Sequence, residues 1–182
     1  IPSVELLTIH RQDSNGLIIK NCELVKNGKP MIVPTAEVGS DFNYLQAFTP
    51  QRIIEIIARL MLVHIPEKYR VDPTTNVQIL TASPEKGPLS ATILNSYIQH
   101  RIDDMNPYEN EGGEISWLSH KVIQTKNDYR LGIFNGDMGF VVALDKQNYI
   151  VEFEHATIEI PRYNHNLKLG YCLSVHKFQG SE

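Results

Sequence analysis

At 182 residues, with 42% hydrophobic and 21% charged side chains, the chain can bury one substantial core, or one core and a small satellite module. A net charge of −4 excludes a generally basic nucleic-acid binder, so any such contact must be a local patch or come from a partner domain. The longest apolar run, residues 53–63, is interrupted by Glu55 and Arg59 and is excluded as a membrane span.

Taken in order, Val4 to Ile9 is a short apolar strand candidate with His10, Arg11 and Gln12 at its end. Asp13, Ser14 and Asn15 offer N-caps for a helix to about Val25, closed by Asn27-Gly28, with Leu17, Ile18, Asn21, Leu24 and Val25 as its buried stripe. Met31 to Val33 reads as a strand followed by a loop. Thr49-Pro50 starts a helix carrying Ile53, Ile54, Ile57, Leu60 and Met61 at helical spacing, with Pro66 as its stop. Val77 to Thr81 is a buried strand candidate. Residues 82–89 make a turn, and Ser90 caps a helix carrying Ile93, Leu94, Tyr97, Ile98 and Ile102.

The acidic, glycine-bearing stretch Tyr108 to Glu114 is the plainest boundary in the chain, and beyond it the helical period vanishes. Short strands at 121–125, 139–144, 149–153 and 156–160, with tight turns between them, predict a small barrel. From Leu167 apolar and polar residues alternate to His176, the pattern of a half-buried strand, and the alternation fails at Lys177. Ser174, His176 and Lys177 therefore gather at a strand end, where open α/β sheets bind ligands, and their side chains can donate to phosphate oxygens. The chain begins at Ile1 and stops at Glu182 directly after this turn, which reads as a piece of a longer protein. Cys22 and Cys172 are expected as buried free thiols in a reducing, cytoplasmic setting.

The run S-V-H-K-F-Q-G-S-E at Ser174 to Glu182 resembles motif V of superfamily-one DNA helicases of the RecD/TraA branch. Ser174 stands where that family has Thr and keeps the hydroxyl; Phe178 stands where it has Ser and removes one. L-T-I-H-R-Q resembles the region around motif IV. L-T-A-S-P-x-x-G-P-L-S resembles the strand, loop and helix that follow in the family. V-I-Q-T-K-N-D-Y with N-G-D-M-G resembles the SH3-like module inserted in its second motor domain. The resemblance implies an α/β fold: a RecA-like parallel sheet with helices on both faces, formed by residues 1–107 and 166–182, with an SH3-like β-barrel inserted at 108–165.

It further implies an ATP-dependent helicase of the exodeoxyribonuclease V alpha-chain type, moving 5′ to 3′ along single-stranded DNA in recombination or repair. Arg11 would act on the γ-phosphate of ATP, with Gln12, Gly180 and Glu182 near the nucleotide. Thr81, Ser83, Lys86, Ser174, His176 and Lys177 would hold the DNA backbone, and Lys126, Asn127 and Tyr129 would touch DNA from the barrel. Two readings stay open at the loop, phosphate donors or an ordinary turn. Two also stay open at Asn127-Asp128, a turn with Tyr129 packed on the barrel or direct DNA contact.

The sequence holds no G-x-x-x-x-G-K-[ST] loop and no apolar strand ending in Asp-Glu, so ATP and Mg²⁺ are expected on an N-terminal motor domain of the same polypeptide, and the chain alone is expected to hydrolyse no ATP. The seven histidines and two cysteines show no metal-ligand spacing. Expected partners are single-stranded DNA, that motor domain and further nuclease subunits. The alternatives are a non-catalytic module that binds single strands or a protein, and a hydrolase built on Ser174 and His176, whose side-by-side placement on one strand is poor nucleophile–base geometry.

Overall fold

A computed structural model of the chain describes residues 16–34, 41–105 and 117–178, which fall into two compact units divided between Ala47 and Phe48. In the first, α1 (Leu17–Lys26) begins after Gly16, which has no side chain to cap it. The Asp41 carboxylate takes that role, accepting the N–H groups of Leu17 at 2.8 Å and Ile18 at 3.2 Å. Asp13, Ser14 and Asn15 lie outside the described residues. Ile19 and Asn21 are the buried positions of α1, and Val25 is exposed. Cys22 is exposed too, which corrects the expectation of two buried thiols.

Met31 to Val33 does not form the expected strand and is exposed. The Asn21 amide instead donates to the Ile32 carbonyl at 3.0 Å and accepts its N–H at 2.7 Å. One side chain thus supplies the two hydrogen bonds that a neighbouring strand would have supplied.

The second unit opens with α2 (Pro50–Arg59), where Thr49 accepts the Arg52 N–H as its cap. Pro66 does not stop this helix. The backbone widens into a π-helix over Leu60–His64, with the Ile65 N–H bonded to the Leu60 carbonyl. It resumes as α3 (Ile65–Tyr69) and ends at Arg70, which has φ of 55°. Proline lacks an N–H and its ring conflicts with the carbonyl four residues back, and a widened turn relieves that conflict. After α4 (Pro73–Asn76) come β1 (Ile79–Thr81) and α5 (Ala91–Met105).

Near the end of the chain β7 (Cys172–Ser174) pairs parallel with β1, matching Ile79 to Cys172, Leu80 to Leu173 and Thr81 to Ser174. Among the described residues the parallel sheet consists of this pair. Its core joins Met61, Leu94, Ile98, Tyr171 and Cys172. Tyr171 to Ser174 are all buried, as befits a parallel strand covered on both faces.

Between α5 and β7 lies an antiparallel sheet of β2 (Lys121–Gln124), β3 (Met138–Leu144), β4 (Asn148–Phe153), β5 (Thr157–Pro161) and β6 (Leu167–Leu169). The strand order is β5-β4-β3-β2-β6, around Val122, Ile133, Val141, Val151 and Ile160. Glycine at 139 lets β3 and β4 approach, since a Cβ there would lie 2.5 Å from the Glu152 carbonyl oxygen.

Leu167–Leu169 pairs with β2, which corrects the reading of one strand running from Leu167 into the α/β sheet. The alternating stretch is divided at Gly170. Its N–H donates to the Lys121 carbonyl at 2.9 Å, and an added Cβ would meet the main chain of Val122 at 3.2 Å.

Candidate nucleic-acid interface

Because Thr81 is the register partner of Ser174, β1 and β7 end side by side. The chain leaves β1 into the loop 82–90 and leaves β7 into α6 (Val175–Phe178). The extended pattern expected to His176 stops at Ser174. Its Oγ accepts the Lys177 N–H at 3.4 Å and so begins the one-turn helix. Ser174 is buried, whereas His176 and Lys177 are exposed on α6.

The loop is held from within. Ser83 Oγ donates to the Lys86 carbonyl at 2.6 Å, and Thr81 Oγ1 donates to the Leu89 carbonyl at 2.7 Å. Its carbonyls also receive the start of α5, Ser83 from the Ala91 N–H at 2.9 Å and Pro84 from the Thr92 N–H at 3.2 Å. A helix start needs such acceptors, and the loop supplies them. Each hydroxyl's single proton is thus committed to main chain, the turn reading for Thr81 and Ser83. Lys86 is exposed, beside Gly87 with φ of +88°.

A cleft of about 260 Å³ lies against this strand end, bounded by Pro84 and Glu85 of the loop, Asn95 of α5, Lys168 of β6, and Ser174 and Lys177. Trp117, at the entry to the barrel, lines it as well. Ser174 and Lys177 therefore share one cavity with the loop. Thr81, Lys86 and His176 do not line it, and neither do Lys126, Asn127 and Tyr129.

Those three barrel residues form a separate exposed loop. Asn127 Oδ1 accepts the Asn135 N–H at 2.9 Å, and its Nδ2 donates to the Tyr129 hydroxyl at 3.1 Å. Gln124 Nε2 donates to the Lys126 carbonyl at 2.8 Å. Asp128 Oδ1 accepts the N–H groups of Arg130 and Leu131, each at 3.1 Å, so Asn127-Asp128 does form a turn. The Tyr129 ring is not packed on the barrel: it is 79% exposed and meets Phe134 edge-on at 6.0 Å. Arg11, Gln12, Gly180 and Glu182 lie outside the described residues.

A buried polar joint supports the strand end. The Tyr171 hydroxyl accepts the Lys121 N–H at 3.1 Å and lies 2.9 Å from His120 Nδ1, while His120 Nε2 lies 2.8 Å from Asp103 on α5. Lys121 Nζ donates to Gln78 Oε1 at 3.3 Å, and burial lowers the pKa of this lysine against a smaller opposing pull from Asp72. Burial pushes the Tyr171 phenol and the Cys172 thiol each up to about 12, so both stay neutral near pH 7. A low-dielectric surrounding penalises each charged form in this way.

Sequence patterns missed Asn95, Trp117, His120 and Lys168. A polar residue on a helix's apolar face and a sole tryptophan beside a domain boundary were the available signals. Among the described residues no cluster of His, Cys, Asp or Glu could hold a metal ion, and no helix is long and apolar enough to cross a membrane.

Residues 94–153 match the family described as the ATP-dependent RecD-like DNA helicase SH3 domain. The chain is 40% identical over 111 residues to the ATP-dependent RecD2 DNA helicase of Deinococcus radiodurans, covering 58% of this chain and 15% of that protein. It is 27% identical over 108 residues to the RecBCD enzyme subunit RecD of Buchnera aphidicola subsp. Schizaphis graminum, covering 54% of this chain and 17% of that protein. The chain thus spans about a sixth of these relatives.

Among solved structures, the Pif1 helicase from Bacteroides in complex with ADP-AlF3 and ssDNA aligns with 96% of this chain and 43% of its own, at a TM-score of 0.50 and 16% identity. That likeness concerns the fold alone. The SH3-domain match and the two RecD relatives make this chain similar, over part of its length, to RecD-type DNA helicases.

Proposed function

We propose that this chain is the C-terminal motor region of an ATP-dependent DNA helicase and that the cleft at the end of β7 borders the path of single-stranded DNA. The observation that carries the reading is the pairing of Thr81 with Ser174. It brings the loop 82–90 and α6 together at the carboxyl ends of two parallel strands, the usual ligand side of an α/β sheet. Lys177 and His176, with Lys86 nearby in sequence to the loop's turn, supply cations and donors for a phosphate backbone. The parallel pair of β1 and β7 supports a RecA-like domain interrupted by the barrel, whose sheet runs on through β6 to Leu169.

In this reading ATP and Mg²⁺ bind chiefly on an N-terminal motor domain. Arg11 reaches the γ-phosphate across the interface, with Gln12, Gly180 and Glu182 beside the nucleotide. Nucleotide binding closes the two motor domains and release reopens them, which moves the strand with 5′ to 3′ polarity. The setting is cytoplasmic DNA recombination or repair, with room for nuclease subunits as partners. The isolated chain does not hydrolyse ATP.

The test is Arg11→Ala in the intact protein. DNA-stimulated ATP hydrolysis should fall by about 1,000-fold or more, with single-strand affinity kept. Hydrolysis at the wild-type rate removes Arg11 from the mechanism. An intact protein that binds single strands yet never hydrolyses ATP would instead be a passive binding module.

A further inference from the structure

We propose that the cleft between α5 and the barrel is a pocket for one nucleobase of a single strand whose phosphates run past Lys177. The proposal rests on the single-stranded DNA reading above and adds to it a base contact. The cleft measures about 260 Å³, just under the roughly 300–1,000 Å³ of drug-sized ligand sites. That space suits one planar ring system better than a whole nucleotide.

Its wall includes Trp117, the only tryptophan of the chain. The indole is held flat against Tyr149, with centroids 5.5 Å apart and planes 9° from parallel. The Arg162 guanidinium lies over the Tyr149 ring at 5.3 Å. A braced aromatic surface of this kind is what a base stacks on in single-strand binders.

The charges around the cleft favour the same occupant. Lys168 and Lys177 border it, and Glu85 is the sole carboxylate among the lining residues. A phosphate inside would meet that carboxylate; phosphates on either side of an inserted base would meet the lysines.

The polar side chains of the wall are largely engaged with the protein itself. Asn95 holds both main-chain groups of Cys172, Thr92 donates to the Pro84 carbonyl, and Thr125 donates to the Asn166 carbonyl. Few remain to read base edges, so the pocket takes a base by stacking and tolerates any of the four.

The test uses the 182-residue chain, an oligothymidylate of about 12 nucleotides, and a strand of the same length built from abasic sites. The base-bearing strand should quench Trp117 emission and bind about 5- to 150-fold more tightly than the abasic strand. Trp117→Ala should bind both strands alike. Should that variant not fold, Ser96→Trp serves instead: Ser96 is exposed and lines the cleft, so the new ring fills it and should erase the preference while keeping affinity for the abasic strand. Equal wild-type affinity for the two strands, with Trp117 emission unchanged, overturns the pocket and leaves a backbone grip standing. Failure to bind either strand overturns the pocket and the DNA reading together.

Discussion

Asn95 on α5 donates to the Cys172 carbonyl and accepts the Cys172 N–H, both at 2.8 Å. Both residues are buried, so the helix fixes β7 through hydrogen bonds that water cannot replace. The strand that delivers Ser174 and Lys177 is held by β1 on its ladder and by this amide.

Asn95→Leu leaves a buried N–H and a buried carbonyl without partners. At about 1–3 kcal/mol for each such group, we expect a loss of roughly 2–6 kcal/mol. Urea unfolding should show a lower midpoint with an unchanged slope. Asn95→Asp should be no better, because a carboxylate can accept the N–H but faces the carbonyl with negative charge. Wild-type stability in both variants would mean that the Asn95 bonds contribute nothing.

Tyr171→Phe tests the joint between barrel and α/β sheet. Without the hydroxyl, the Lys121 N–H loses its acceptor and His120 Nδ1 loses its neighbour. The expected cost is about 1–3 kcal/mol, read as a drop in the urea midpoint. Trp117 emission should report the same transition from the barrel side.

Stability should also fall at alkaline pH, and the sign follows from burial. The unfolded thiol gives up its proton near 9.0, whereas folded Cys172 keeps it to about 12. Tyr171 does the same between 10.0 and about 12. Through these windows the folded state binds more protons, so the stability present below pH 9 is lost as pH rises, by up to about 1.4 kcal/mol per pH unit for each group. Lys121 opposes this, since its lowered pKa penalises the folded state until pH approaches 10.5. Comparison with Cys172→Ala isolates the thiol. Midpoints of the two proteins should run parallel to about pH 9, then the wild type should fall faster; parallel curves to pH 10 would contradict the assignment.

Much of this fold was legible in the sequence where one local rule acted alone. Thr49-Pro50 starts its helix as a cap and a first-turn proline should. The four barrel runs and their turns fall where alternation and glycine put them. Legibility failed where a distant residue supplied what local rules assign to a neighbour. Asp41 caps α1 from 24 residues away, and Asn21 takes the place of a strand beside Ile32.

The alternating run from Leu167 misled for a related reason. Its period is right, yet its two halves serve different sheets on either side of Gly170, and a periodicity of two does not say which neighbour a strand will find. In the candidate site, the gathering of Ser174 and Lys177 with the loop after β1 was foreseeable from the strand ends. The commitment of the Thr81 and Ser83 hydroxyls to main-chain carbonyls was not, because it depends on the loop's closed path.

The salt dependence of single-strand binding at Lys177 tests the phosphate contact at the end of β7 most directly. Affinity for an oligothymidylate of about 12 nucleotides should be measured across salt concentrations for the wild type and for Lys177→Ala. If the ammonium neutralises a phosphate, the variant should bind more weakly and its log–log slope should be shallower by about 0.7 to 1. The same slope and the same affinity in both proteins would contradict a phosphate contact at the end of β7.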